Sequence, residues 1–229
     1  MKTGIVFHEL YLWHDTGNHA DYVSYGFPVE PFQHSENPDA KRRIKNLMEV
    51  SGLYEKLFQI TPRKATKDEI LLFHTEDHFE HIKSLNNSIT IDAGITTPTG
   101  IGSFDIALLS AGGVIEAIDH VIEEKVNNAY ALVRPPGHHA MPNKAMGFCI
   151  FGNAAIAGKH ALKNKDLHKI AFIDWDVHHG NGTQAAFYND SNALTISIHQ
   201  DRNFPTNSGF VSENGEEKGA GYNINIPLP

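Results

Sequence analysis

Ile170-Ala171-Phe172-Ile173-Asp174-Trp175-Asp176-Val177-His178-His179-Gly180-Asn181-Gly182 is the stretch that decides the fold. Its first four residues are apolar on both faces, the pattern of a central parallel strand covered by helices on each side. The run then ends on two carboxylates and a pair of imidazoles. Positions 174, 176 and 178 would share one side of an extended chain, because side-chain direction in a strand repeats every two residues. Charge left unpaired at the end of a buried strand costs several kcal/mol, so a purely structural account of the trio is poor. Aspartate and histidine supply oxygen and nitrogen donors that suit zinc or a similar divalent ion. Asp176 and His178 give two ligands, whereas a catalytic zinc usually takes three from the protein, which leaves one to be found.

Working outward, apolar runs at residues 3–7, 130–133, 193–198 and 223–228 read as further strands. Between them Ile44, Leu47, Met48, Tyr54, Leu57 and Phe58 keep one helical face, with Asn37 and Pro38 as start signals. Phe104, Ala107, Leu108, Ala111, Val114, Ile115, Ile118, Val121 and Ile122 mark a longer helix. This alternation predicts an α/β fold with a mostly parallel sheet flanked by helices. No repeat, linker or charge block divides the chain, so residues 1–229 are read as a single domain. Ligands of such sheets sit beyond the carboxyl ends of the strands, which points to the loops after Val133, Trp175 and Ile198.

The first of these loops is Arg134-Pro135-Pro136-Gly137-His138-His139-Ala140, in which two prolines and a glycine present adjacent imidazoles at a strand end. A second histidine set, His74, His78 and His81, has the spacing of one helix face. Thr75 reads as a helix cap there, and Phe79 and Ile82 are ordinary core neighbours, so this trio is assigned to structure. Gly100-Ile101-Gly102 lacks the rest of a dinucleotide fingerprint, Gly180-Asn181-Gly182 has no phosphate-loop lysine, and no Gly-x-Ser-x-Gly elbow occurs. Metal-assisted hydrolysis is the chemistry left.

The 19 basic and 27 acidic residues give a net charge of −8, the wrong sign for gripping a phosphate backbone, so nucleic acid is not an expected partner. Lys41, Arg42, Arg43 and Lys45 fall in a helical pattern and read as a solvated face. Neither a signal peptide nor a membrane-spanning run is evident, and the single cysteine, Cys149, sits between apolar neighbours as a reduced core residue would. A cytoplasmic protein is expected, and an oligomer is compatible with the sequence.

Taken together, the paired-histidine loop, Met146-Gly147-Phe148-Cys149, the Asp-x-Asp-x-His-His-Gly-Asn-Gly run at 174–182, Ser197-Ile198-His199-Gln200 and Gly221-Tyr222-Asn223-Ile224-Asn225-Ile226-Pro227 resemble the zinc-dependent histone deacetylases. The nearest types are class II and the bacterial histone deacetylase-like amidohydrolases; acetylpolyamine amidohydrolases share the same motifs. The resemblance implies an arginase/deacetylase-type three-layer fold and hydrolysis of an acetylated amine, either acetyl-lysine in protein or an acetylpolyamine. It implies Asp176 and His178 as zinc ligands. His138 and His139 become the tandem active-site histidines, paired with Asp174 and Asn181 respectively, with His138 holding a proton and His139 acting as base. Gly147, Phe148 and Phe204 would line the substrate tunnel. Asp174, Ser197 and Ile198 would hold potassium, and a second monovalent site would be lined by Phe187, Asp190, Ala193 and Tyr222.

The family's third zinc ligand, an aspartate, and its carbonyl-polarising tyrosine belong to a later part of the family domain, which residues 1–229 do not supply. The chain is therefore expected to be a truncated version of the fold. Two alternatives accompany the deacetylase reading: a catalytically impaired fragment that only binds acyl-lysine or polyamine, and a binuclear ureohydrolase.

Overall fold

The computed structural model describes residues 1–18, 30, 32–89, 91–164 and 167–229. In chain order the elements are β1 (Thr3–Val6), α1 (Asp39–Val50), β2 (Phe58–Ile60), α2 (Lys67–Ile70), α3 (Glu76–Ser84), β3 (Ile91–Asp92), β4 (Gly94–Ile95), β5 (Pro98–Thr99), α4 (Ser103–Ile122), β6 (Asn128–Ala131), β7 (Ala145–Met146), α5 (Asn153–Asn164), β8 (Ile170–Asp174), α6 (Asn181–Phe187), β9 (Ala193–Gln200) and β10 (Asn223–Leu228). The expected α/β architecture holds, and every ladder among the longer strands is parallel. The strands divide into two sheets, in the orders β2-β1-β6 and β10-β9-β8, with β3-β5 and β4-β7 as small satellites.

Helix starts follow local chemistry. Thr66 and Glu69 form a reciprocal capping box at α2, and the Thr75 hydroxyl accepts from the His78 N–H at the head of α3. The apolar stripe of α4 buries Phe104, Ala107, Leu108, Ala111 and Ile115 against Phe79 and Ile82 of α3 and Ala155 and Ile156 of α5, in a core shared with Ile150 and Phe151. Ala117 of the same helix joins Val6 and Ile60 beneath the first sheet. On the opposite face of that sheet Ile5 and Leu132 pack on Met48 of α1. Among the described residues no helix is long and apolar enough to cross a membrane.

Two expectations need correction. The segment 170–173 is not a central strand: β8 pairs only with β9 among the described strands, and Ile173 is 59% exposed. Its residues are apolar on both sides, yet the inward side alone is covered, by contacts such as Phe172 stacked on Phe187. The parallel strands fall into two groups, since no ladder joins β6 to β8 among the described residues. The helical face from Ile44 to Phe58 breaks at Gly52, whose φ of +68° suits a residue lacking Cβ and ends the helix. Tyr54 then lies in a 3-10 turn and Phe58 in β2. Leu47 is left 70% exposed, and Met48 alone of α1 is buried. Of the basic residues of α1, Arg42 and Arg43 are solvated as expected, with Arg42 on Asp39, whereas Lys41 lies 3.9 Å from Glu36 and Lys45, paired with Glu49, is half-buried over the Phe7 and Tyr54 rings.

Candidate active site

The strand β8 ends at Asp174, and residues 175–180 no longer run extended. Convergence of residues 174, 176 and 178 therefore has a different cause from strand alternation. Asp174 Oδ1 accepts from the Asp176 N–H at 3.0 Å, and Asp176 Oδ1 accepts from the His178 N–H at 2.8 Å. Two successive Asx turns curl the backbone so that each carboxylate shapes the position of the next donor. The outcome brings Asp176 Oδ1 and His178 Nδ1 to 3.1 Å.

The second oxygen of Asp174 lies 2.8 Å from His138 Nδ1. A carboxylate only accepts, so Nδ1 carries the proton there. Burial would raise the Asp174 carboxyl, but the hydrogen bond and charge of His138 prevail and hold it below the usual carboxylate range. His139 Nδ1 donates to Asn181 Oδ1 at 2.8 Å, and Asn181 Nδ2 returns a bond to the His139 carbonyl at 3.3 Å. This reciprocal pair fixes both the amide orientation and the imidazole tautomer, leaving Nε2 of neutral His139 unprotonated. Desolvation, then neighbouring His138, lowers the His139 pKa to about 3. Both pairings implied by the resemblance, His138 with Asp174 and His139 with Asn181, thus occur.

His138, His139, Asp176 and His178 line a cavity of about 240 Å³ together with Ser35, Glu36, Lys41, Pro136, Gly147 and Phe148. Phe148 is a bulky residue at φ +68°, a conformation that costs about 1–3 kcal/mol and persists only where surroundings impose it. Gly147 before it lies at φ +54°, and a Cβ there would sit 2.4 Å from the His139 ring and 2.8 Å from the Phe204 ring. Phe204 stands edge-on to His139, centroids 4.9 Å apart, and edge-on to His178 at 6.1 Å. Ser197 is paired in register with Asp174, and its hydroxyl lies 2.9 Å from His199 Nδ1 and 3.3 Å from the Gly180 N–H. Ile198 follows on the same strand. In the second implied monovalent site the Asp190 N–H donates to Phe187 O and the Ala193 N–H to Asp190 O at 3.5 Å.

Sequence reasoning passed over the support behind the paired histidines. Arg134 is 0% exposed and makes a two-pronged contact with Glu36, at 2.8 Å from both Nε and Nη2, while also donating to the carbonyls of Tyr11 and His14. Burial favours a neutral Glu36, but Arg134 overrides it and keeps the carboxyl low. The available signal was an arginine closing an apolar strand just ahead of two prolines; Glu36 itself carried none. Among the described residues no group of three or more His, Cys, Asp or Glu side chains is arranged to hold a metal. Asp176 and His178 stand as a pair.

Residues 34–229 match the histone deacetylase domain. The histone deacetylase-like amidohydrolase of Pseudomonas aeruginosa is 43% identical over 230 residues, covering 99% of this chain and 60% of that protein. A probable deacetylase of Archaeoglobus fulgidus is 40% identical, covering 100% of the chain and 60% of its own length. The crystal structure of the HDA15 HD domain superposes with a TM-score of 0.88 at 33% identity, over 99% of this chain and 61% of that one. The chain thus spans about 60% of the length of these relatives. With the domain match reaching from the first buried glutamate to the last strand, the chain belongs to the histone deacetylase family.

Proposed function

We propose that the protein is a zinc-dependent deacetylase acting on an acetylated amine, acetyl-lysine or an acetylpolyamine, in a reducing compartment such as the cytoplasm. The observation that carries this reading is the pair of oriented histidines, one on a carboxylate and one on an amide, beside the Asp176–His178 donor pair in one pocket. Asp176 and His178 offer the oxygen and nitrogen donors zinc prefers, at a spacing that suits a shared ion. Zinc held there would polarise the acetyl carbonyl and make an attacking water more acidic. His139, neutral with Nε2 unprotonated, takes a proton from that water and passes it to the leaving amine. His138, with its Nδ1 proton fixed on Asp174, is oriented to stabilise developing negative charge. Phe148 and Phe204 confine the acyl-amine chain, and Gly147 leaves the room it needs. Potassium on Asp174, Ser197 and the main chain of Ile198 would brace the 174–178 turn.

Turnover of an acetyl-lysine peptide and of an acetylpolyamine, with zinc supplied, tests the reading. Amine release that disappears in Asp176→Ala and His139→Ala is expected; binding of both compounds without release would replace it with the acyl-amine binder. That second reading is favoured by the absence of a third donor beside Asp176 and His178 among the described residues. For the same reason zinc affinity is expected to fall short of a three-ligand site, and equal affinity of wild type and Asp176→Ala would remove the metal assignment. Two divalent ions per chain would favour the binuclear ureohydrolase.

A further inference from the structure

Of the three histidines set aside as structural, His74 and His78 are buried at the core side of α3 and its approach while His81 is exposed, and the ring nitrogens of the two buried ones share one target. His74 Nε2 accepts from the Gly152 N–H at 2.9 Å, so its proton resides on Nδ1, 3.3 Å from the Pro142 carbonyl. One imidazole therefore ties both ends of residues 142–152. His78 Nε2 bonds the Ile150 carbonyl at 2.9 Å, and the Thr75 N–H adds a second bond to Pro142 O at 2.8 Å. His81 Nε2 bonds the Ala93 carbonyl at 3.1 Å. Ala93 begins a turn knotted by Asp92, and the far side of that turn is β4, which pairs with β7 in the middle of the same loop. From there the Gly147 N–H reaches Ile95 O at 2.9 Å and the Phe148 N–H reaches Thr96 O at 3.0 Å.

Residues 142–152 carry Gly147 and the positive-φ Phe148, and they continue into Asn153, whose side-chain amide donates to Pro135 O at 3.0 Å beneath the paired histidines. A phenylalanine in that conformation relaxes unless both its flanks are fixed. We propose that His74, His78 and His81 are positioning residues: the first two anchor residues 142–152 directly at Pro142, Ile150 and Gly152, and His81 holds the neighbouring turn at Ala93, so that Phe148 is kept against the pocket instead of relaxing away from it. The chain of contacts is continuous, and backbone acceptors and donors are used throughout, so the anchoring does not depend on the identity of the loop side chains. The imidazole of His74 suits this because it donates and accepts on opposite sides of a flat ring, bridging two backbone segments at once. The proposal rests on the deacetylase reading only for what the wall confines.

The test compares His74→Ala, His78→Ala and His160→Ala in the protein as it stands. His160 is an equally buried histidine that bonds Asp119 and no part of residues 142–152, so its loss reports general weakening alone. Amide hydrogen exchange is expected to quicken at least about tenfold at Gly147, Phe148 and Gly152 in the first two variants, with amides in the middle of α4 unchanged, and to show no such local pattern in His160→Ala. With an acetyl-lysine peptide, KM is expected to rise about tenfold while kcat stays within about threefold, since the wall and not the reacting groups is disturbed. Exchange that quickens evenly through the core, or not at all at residues 147 and 148, overturns the proposal. Absence of turnover in wild type would defeat the deacetylase reading and leave the exchange result to decide the anchoring. If His74→Ala does not fold, His78→Ala, which removes a single bond to Ile150, is read by the same amides.

Discussion

The two parallel sheets use similar β-branched residues and bury them in opposite senses. In the β2-β1-β6 sheet the apolar side chains of Ile5 and Val6 are both fully buried, one under α1 and the other under α4. In the β10-β9-β8 sheet the covered side turns polar along β9 and β10: Thr195, Ser197, His199, Asn223 and Asn225 are buried there, and the two asparagines meet at Gln184 and the Glu213 carbonyl. The apolar residues face outward, with Ile173, Ile224, Ile226 and Leu228 between 40% and 59% exposed. Ile173, Ile196 and Ile224 stand in one register row across the three strands. A sheet with water on one side ordinarily directs polar residues to it, and this face reverses that pattern.

The largest effect is expected on acidification, and it reaches both regions. Burial lowers the pKa values of His14 to about 4 and His74 to about 3 and lowers that of His78, and beside the second sheet it lowers that of His179 to about 4. Their folded values lie below the ordinary 6.5, so the native state keeps them neutral while the unfolded chain takes up protons. Stability is therefore intact above about pH 6.5 and drains as pH falls towards 4, at about 1.4 kcal/mol per pH unit for each histidine. Urea titrations at pH 7 and pH 5 should show the loss; a flat profile would contradict the buried neutral state.

Next in size is Arg134→Met, which strands Glu36 without its partner and should cost about 3–5 kcal/mol by chemical denaturation. Truncation separates the sheets more directly. Ile115→Ala in the closed core should cost about 2–5 kcal/mol, whereas Ile226→Ala on the open face should cost less than about 1 kcal/mol. Ile224→Lys, nearly neutral for stability, should reduce self-association in light scattering; unaltered association would show that this face is not the adhesive one. The smallest effect is reserved for Lys67→Ala, whose exposed contacts to Glu76 and Glu80 should leave the denaturation midpoint almost unmoved.

Periodicity made the helices readable, and α4 most of all, because its apolar residues recur at helical spacing over twenty residues; that its first half is buried on nearly every side was not legible from the period. It misjudged β8, since an apolar run records what a strand is suited to bury and not whether a cover is present. The pairing of His138 with Asp174 and His139 with Asn181 was legible only through resemblance, for nothing in local sequence joins positions 42 or 36 residues apart. The Asx turns at Asp174 and Asp176 could have been foreseen from the Asp-x-Asp spacing, had the segment not been taken as extended. Glu36 escaped because a lone acidic residue in a polar stretch has no signature until Arg134 folds onto it.

Cys149, the chain's single thiol, lies fully buried one residue after Phe148, donates to the Gly147 carbonyl at 3.3 Å and is pushed far from ionising by its apolar surroundings. A thiol so placed is unreactive towards alkylating reagents until the peptide around it swings open. The protein consequently carries an intrinsic stopwatch: the rate at which one equivalent of a maleimide or disulfide reagent is consumed counts the openings of the pocket wall, with no label to introduce and no second thiol to confuse the signal.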